Sequence, residues 1–362
     1  MTSIPLVFNS IVKSKNLFFD IYETPLLYKY PIANDDLFSF PEKKIIVNQN
    51  TNLAISIVGE YFKPVLHKQA FHLGIRIFET LFGVTPTIHK ESMNANTTDY
   101  SVDFVSEKCK IIFDVNGYYF SNDNNSSLFG SRSNQLIETI APPSNQHSFI
   151  SSKFYDEYHP FIRVSNFLRS GESFKIELGY YRYRCSNGLM MGRRTKFTFK
   201  HSYRKHFYRI EELAIDQFLH SKTRFIEMGE KLWRLLNIPI PKAKMRLVAY
   251  DIFEKELIKK SVAERQKLQV ELSNLVDKYV DEIGENLNAA INVATDFSKH
   301  FESGKVSNSS IQELATTWIN KAVKKTFNVQ AYLDSSSIIG IEERILNAKL
   351  AQEEEEEVEI EL

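Results

Sequence analysis

Nine Lys or Arg and no acid fall between Leu178 and Ile210, in the run LGYYRYRCSNGLMMGRRTKFTFKHSYRKHFYRI. Aromatic residues are interleaved with them: Tyr180, Tyr181, Tyr183, Phe197, Phe199, Tyr203, Phe207 and Tyr208. Clustered cations attract phosphates, and exposed rings among them stack on unpaired bases. The chemistry expected here is nucleic-acid binding, with single-stranded DNA as the favoured partner. Arg182, Arg184, Arg193, Arg194, Lys196, Lys200, Arg204 and Lys205 are the candidates for phosphate contact. Tyr180, Tyr183 and Tyr203, together with Tyr181 and Tyr208, are the candidates for stacking. In the competing reading the rings are core and the cations are a solvated face paired with acids from elsewhere. The lack of any acid across the run favours a binding surface, because a face built only for solubility mixes signs. The whole chain carries 45 basic and 45 acidic residues, so the excess is local.

Two strands must position these side chains. Phe174, Ile176 and Leu178 alternate with Lys175 and Glu177, the period of a strand with one buried face. Gly179 is a place for a bulge. Beyond it Tyr180, Arg182 and Arg184 fall on one side, and Tyr181, Tyr183 and Cys185 on the other. Ser186-Asn187-Gly188 signals a turn. A second strand is expected from Thr195 to His201. Pairing of the two would join Arg182, Arg184, Lys196 and Lys200 into one patch, with Arg193 and Arg194 in the connecting loop.

The run HPFIRVSNFLRSGESFKIELGYYRYRCSNGLMMG resembles the core of the domain of unknown function 932 family, the phage/plasmid-like proteins. The matching positions are Pro160, Val164, Asn166, Gly171, Cys185, Asn187 and Gly188. Upstream, VGEYFKPVLHKQAF is similar to a second segment of that family at Gly59, Val65 and Phe71, with Phe62 in a place the family gives to Tyr. The resemblance covers roughly residues 55–210. Phe167 and Arg184 depart from the family pattern. The resemblance implies a mobile-element context, namely a phage, a plasmid or a genome that captured one. It implies no catalytic residue.

Other chemistry has less support. Asp156, Glu157 and His159 crowd together in FYDEYHP, a trio able to bind a metal or move protons. No second acidic cluster stands at a recognisable spacing, so the expected role is a turn leading into a strand at Phe161. An enzyme therefore ranks last, and no catalytic, metal or cofactor residues are assigned. Residues 127–132 contain one Gly and no Gly-Lys-Ser/Thr ending, so they are not a phosphate-cradling loop. His67 and His72 are five apart, a poor spacing for helical metal ligands. Cys109 and Cys185 form no Cys-x-x-Cys motif, which suggests a reducing, cytoplasm-like compartment. No apolar run is long enough to cross a bilayer, and the first residues lack the pattern of a secretory signal.

The expected fold class is α+β, with a mainly antiparallel sheet in the first 200 residues and a helical second half. The expected organisation is an N-terminal α+β region over 1–145, a β core with the basic hairpin over 146–209, a helical region over 210–330 and an acidic disordered tail over 331–362. Residues 1–50 read as irregular or as short Pro-bounded strands. A helix from Pro64 to Phe82 is expected to end at Gly83, and Asn116-Gly117 marks a hairpin. Helices are expected over about 211–236 and 261–300, with a weak point at Gly284. Ser310 and Glu313 form a capping-box pattern. Seven Glu stand among the last ten residues. Three roles are open to such a tail: folding back on the basic run in competition with nucleic acid, recruiting a protein partner, or only solubilising the chain. The alternative function is therefore a non-enzymatic assembly module, a homo-oligomer or the partner of another protein, using the helical half and the tail.

Overall fold

The computed structural model describes residues 19–29, 37–93, 97–114, 117–122, 150–151, 154–183, 188–190, 196–201, 207–219, 222–301, 309–323, 328–335 and 340. Three strands open the chain: β1 (Ile21–Lys29), β2 (Leu37–Asn48) and β3 (Ala54–Gly59). They form an antiparallel sheet in that order. The irregular or short-strand expectation for residues 1–50 is thus corrected by a twelve-residue strand. Proline is accommodated because Pro25 sits in an edge strand, while residues 41–43 fall into a register shift opposite Pro25 and Leu26.

The second sheet has eight strands: β4 (Thr87–Met93), β5 (Asp99–Val105), β6 (Cys109–Asp114), β7 (Gly117–Asn122), β8 (Tyr155–Phe167), β9 (Ser173–Arg182), β10 (Gly188–Met190) and β11 (Lys196–Lys200). The expected hairpin forms, with Asp114 opposite Gly117. The thirteen-residue β8 serves two partners on one edge, β6 along its first turn of pairs and β5 along the rest. On its other edge lies β9, whose far edge is shared by β11 and β10. Register separates the two faces of this sheet. Ile162, Val164, Ile176, Leu178, Val102 and Phe104 share the apolar face. Phe161, Arg163, Glu177, Tyr181 and Asp103 share the other.

Helix α1 (His67–Phe82) lies on the apolar face. A Cβ on Gly74 would stand 2.4 Å from a Phe104 ring carbon and 2.6 Å from a Val164 methyl, so only glycine permits this approach. Gly83 ends the helix at φ 69°, its amide donating to the Glu79 carbonyl.

The helical half comprises α2 (Phe207–Leu219), α3 (Lys222–Leu236), α4 (Lys242–Ile258), α5 (Val262–Ile283), α6 (Leu287–Phe297), α7 (Ser309–Ala322) and α8 (Val329–Ser335). The chain is therefore α+β, antiparallel sheet first and helices mostly after. Ser261 and Glu264 cap α5 reciprocally, side chain to backbone amide in both directions. The stretch over 261–300 is broken rather than softened at Gly284, whose φ is 101°. Every residue of α6 is buried. Its polar side chains are satisfied internally: Asn292 donates to the Tyr158 hydroxyl at 3.2 Å, and Asn288 donates to the Leu232 carbonyl. One apolar core runs from Val65 to Leu333 and takes in both sheet and helices. The helical half packs on the sheet instead of standing apart as an arm.

Candidate nucleic-acid interface

The basic hairpin forms in part as the alternation predicts. β11 runs antiparallel to β9, with Lys196 opposite Glu177, Phe197 opposite Ile176 and Lys200 opposite Ser173. Gly179 makes no bulge, since it pairs with Phe161 in unbroken register.

Arg182 is where the expectation fails. Its side chain is 1% exposed, and its Nε donates to Asp156 Oδ2 at 2.6 Å. Its Nη2 reaches Glu282 of α5 at 2.9 Å, and its guanidinium lies 5.1 Å from the Tyr279 ring centroid. It shares the helix-covered face with Tyr180, so it joins the sheet to α5 and is not positioned for phosphate. Tyr180 is fully buried in the main core and cannot stack on a base. Burial pushes its hydroxyl well above the ordinary range. Lys196 holds Glu177 at 2.7 Å, an acid adjacent to the run but outside it.

Of the candidates, Tyr208 remains exposed among the described residues, and so do Lys200 and Tyr183. These last two stand at opposite ends of β9. Lys200 faces Ser173, and Tyr183 follows Arg182, a separation of about 30 Å along a strand of this length. Tyr208 and Arg209, at the start of α2, are also exposed, with Arg209 paired to Glu212 at 3.0 Å. Arg184, Arg193, Arg194, Tyr203, Arg204 and Lys205 lie outside the described residues, as do the side chains of 188–190 and the acidic end over 341–362.

Tyr181 belongs to a buried polar group that sequence reasoning missed. Arg163 grips Asp103 with two hydrogen bonds, Nε to Oδ1 at 2.7 Å and Nη2 to Oδ2 at 2.9 Å. The Tyr181 hydroxyl donates to Asp103 and accepts from Arg163 Nη2 at 3.1 Å. Burial alone would raise the Asp103 carboxyl. The Arg163 guanidinium, Lys90 and the Tyr181 hydroxyl outweigh it and hold the group below the ordinary range. The available signal was a charged residue in the middle of FIRVSN, but its partner stands 60 residues earlier in the chain.

The acidic trio does not form one site. Asp156, Glu157 and His159 lie within β8, which corrects the expected turn. Alternation puts Asp156 on the helix-covered face with Arg182, and Glu157 with His159 on the other. Lys110 and the Tyr155 hydroxyl bind Glu157. Burial raises that carboxyl, and these partners reverse the shift to hold it low. His159 Nδ1 donates to the Ser106 carbonyl at 2.9 Å, and burial keeps its ring below its ordinary pKa.

A third group sits where α1 begins. The two amide protons of Asn166 Nδ2 go to the Val65 carbonyl at 2.7 Å and to His67 Nδ1 at 2.9 Å. His67 Nε2 donates to the Thr97 carbonyl at 2.9 Å. The Val65 amide donates to His201 Nδ1 at 3.2 Å. Both backbone polar groups of Val65 are thereby used, one by β8 and one by the end of β11. Beside this group lies a cleft of about 570 Å³ lined in part by Gly59, Phe62 and Gly171. Its charged lining is Glu42, Glu60 and Glu172 against Lys200. That end of β9 is therefore not a concentration of positive charge.

Among the described residues, no group of three His, Cys, Asp or Glu side chains is placed to hold a metal ion, and no helix is long and apolar enough to cross a membrane. Compared with models of known families, with curated proteins and with solved structures, the chain gives no match.

Proposed function

We propose that the chain binds single-stranded nucleic acid along the sheet edge that carries the basic hairpin. The observation that carries this reading is the form of that edge. β10 and β11 pair with β9 and with no further strand among the described residues, and Tyr183 is exposed where the run leaves the sheet. Helices α7 and α2 pack on β10 and β11, and Gln217 Nε2 donates to the Lys196 carbonyl at 2.8 Å, so the proposed contact is made by side chains where the run leaves the sheet, with cations for the phosphates and a ring for a base. With Arg182 and Tyr180 committed to the interior, phosphate contact falls to Arg184, Arg193, Arg194, Arg204 and Lys205, and stacking to Tyr183 and Tyr203. Backbone contacts of this kind give affinity without sequence preference.

Kinship with the domain of unknown function 932 family, and the mobile-element setting it implies, belongs to the same proposal. What supports it is the meeting of residues far apart in the chain. Gly59, Phe62 and Gly171 line one cleft, and Asn166 donates to the Val65 carbonyl.

Fluorescence anisotropy with labelled single-stranded DNA, duplex DNA and RNA, each at low and moderate salt, tests the reading. Salt-sensitive binding that prefers single strands is expected. Absence of binding to all three probes would remove the function.

A further inference from the structure

The cleft beside the start of α1 lies between the two sheets. One wall, from the ends of β2 and β3, carries Glu42, Gly59, Glu60 and Phe62. The other carries Glu172, before β9, with Lys200 and His201 at the end of β11. Phe62 and His201 are the buried members of this lining, and their rings, 4.8 Å apart, form its floor. At about 570 Å³ the cleft falls in the size range of small-molecule sites.

Charge is unmatched on both walls. The Glu60 amide donates to the Glu42 carbonyl at 3.0 Å, which carries the β2–β3 ladder one pair past Lys43 and Gly59. Two carboxylates therefore stand opposite each other on one face, an arrangement that by itself destabilises a sheet. Neither forms an ion pair among the described residues, and neither does Lys200 on the facing wall. Glu172 differs, because Arg169 meets it at 3.6 Å. His201 adds no charge, since burial draws its ring down to about 4. Its Nδ1 accepts from the Val65 amide, so the ring proton stands on Nε2. That buried nitrogen completes no hydrogen bond of normal geometry, although the Phe167 carbonyl acts on the ring. One wall thus offers two unmatched carboxylates. The other offers an unmatched ammonium, too far away to pair with them directly.

We propose that the cleft binds a small linear zwitterion, its ammonium held between Glu42 and Glu60, its carboxylate at Lys200 and its apolar middle over Phe62. The walls select against simpler ligands. A polyanion meets repulsion from the two glutamates, and a plain amine leaves Lys200 unmet. An α-amino acid carries both charges on one carbon and does not span the walls. A short peptide and an ω-amino acid share the required chemistry. The ammonium relieves the Glu42–Glu60 repulsion, which no cation of the chain does among the described residues. This site is separate from the end of β9 that carries Tyr183 and does not depend on nucleic-acid binding.

Saturation-transfer NMR of the full chain, with glycylleucine and ε-aminocaproate as probes at millimolar concentration, tests the inference. Both zwitterions are expected to bind. N-acetylglycylleucine and glycylleucinamide, each lacking one charge, bind about fivefold more weakly, the effect of one solvent-touched ion pair. Glu42→Gln/Glu60→Gln and Lys200→Gln produce the same loss from the protein side. Gly59→Leu removes binding by filling the cleft. A Cβ at that position meets no atom within 4 Å, so the variant keeps the circular dichroism of the natural chain. Tighter binding of glycylleucine than of ε-aminocaproate identifies a peptide as the ligand, and the reverse order identifies an ω-amino acid. Absence of transfer to both zwitterions would overturn the inference. Capped dipeptides that bind as well as the free one would overturn it too, as would a Gly59→Leu chain that still binds.

Discussion

Arg182 Nε and Asp156 Oδ2 stand 2.6 Å apart, with both side chains buried between the sheet and α5. This pair decides how the basic run is to be understood. One of its nine cations is an interior strut, held by an acid 26 residues earlier and by Glu282, 100 residues later. Removing one member of a buried pair strands the other, which costs about 3–5 kcal/mol. Asp156→Ala is expected to lower stability by about 3 kcal/mol, the low end of that range because Glu282 remains. Urea unfolding followed by circular dichroism measures it. A change below about 0.5 kcal/mol would place the pair among surface contacts.

The residues left for nucleic acid make the opposite prediction. Arg184→Ala/Arg193→Ala/Arg194→Ala should leave the unfolding midpoint in place while weakening single-stranded DNA binding and flattening its salt dependence. Tyr183→Ala should cost about 1–3 kcal/mol of binding, the range for one base stacked on a ring. Anisotropy titrations at several salt concentrations check both. Unchanged binding in the triple variant removes the hairpin from the interface.

Acid should destabilise the fold through the group at the start of α1. Burial draws both His67 and His201 down to about 4, although hydrogen bonds to backbone carbonyls act against it. Because the folded pKa is depressed, the unfolded chain takes up these protons first. The stability they support is complete above about pH 6.5 and is lost as pH falls through 4, by up to about 3 kcal/mol for each ring. Thermal unfolding between pH 7 and 4 measures the loss. A His67→Gln variant should show a shallower acid decline, and an identical decline would assign the effect to other groups.

The Asp103, Arg163 and Tyr181 group rests on a hydroxyl that both donates and accepts. Tyr181→Phe keeps the ring against Phe161, with centroids 4.3 Å apart, and removes only those bonds. A loss of about 1–3 kcal/mol is expected, the cost of leaving buried polar groups unmet. Chemical denaturation of the variant tests it, and retention of full stability would show that the pair needs no third member.

Gly74 tests the packing of α1. A methyl group there meets Phe104 and Val164 well inside contact distance, so Gly74→Ala should destabilise by about 1–3 kcal/mol even though alanine favours helix. A stabilised variant would show that α1 can move off the sheet.

Local chemistry was legible in the chain because it depends on neighbours. A hairpin forms where Asn116-Gly117 marked one, though Gly117 belongs to β7 opposite Asp114, Gly83 ended α1, and the alternation of Phe174, Ile176 and Leu178 marked the apolar face of β9. The α+β order followed from the change from period-two to helical patterning near residue 207. Residues 1–50 were less legible. The prolines that read as punctuation are absorbed by an edge and a register shift, which exist only once β1 and β2 pair.

What the sequence could not decide is which cations face water. Arg182 and Lys200 are equivalent in a linear reading of charge. They differ because β9 is covered by α5 where Arg182 stands, bringing Glu282 to it, while Lys200 ends an edge strand. Burial of a charge depends on a partner that compensates its desolvation, and here those partners come from distant elements. Only the packing of α5, β8 and β9 could bring them together.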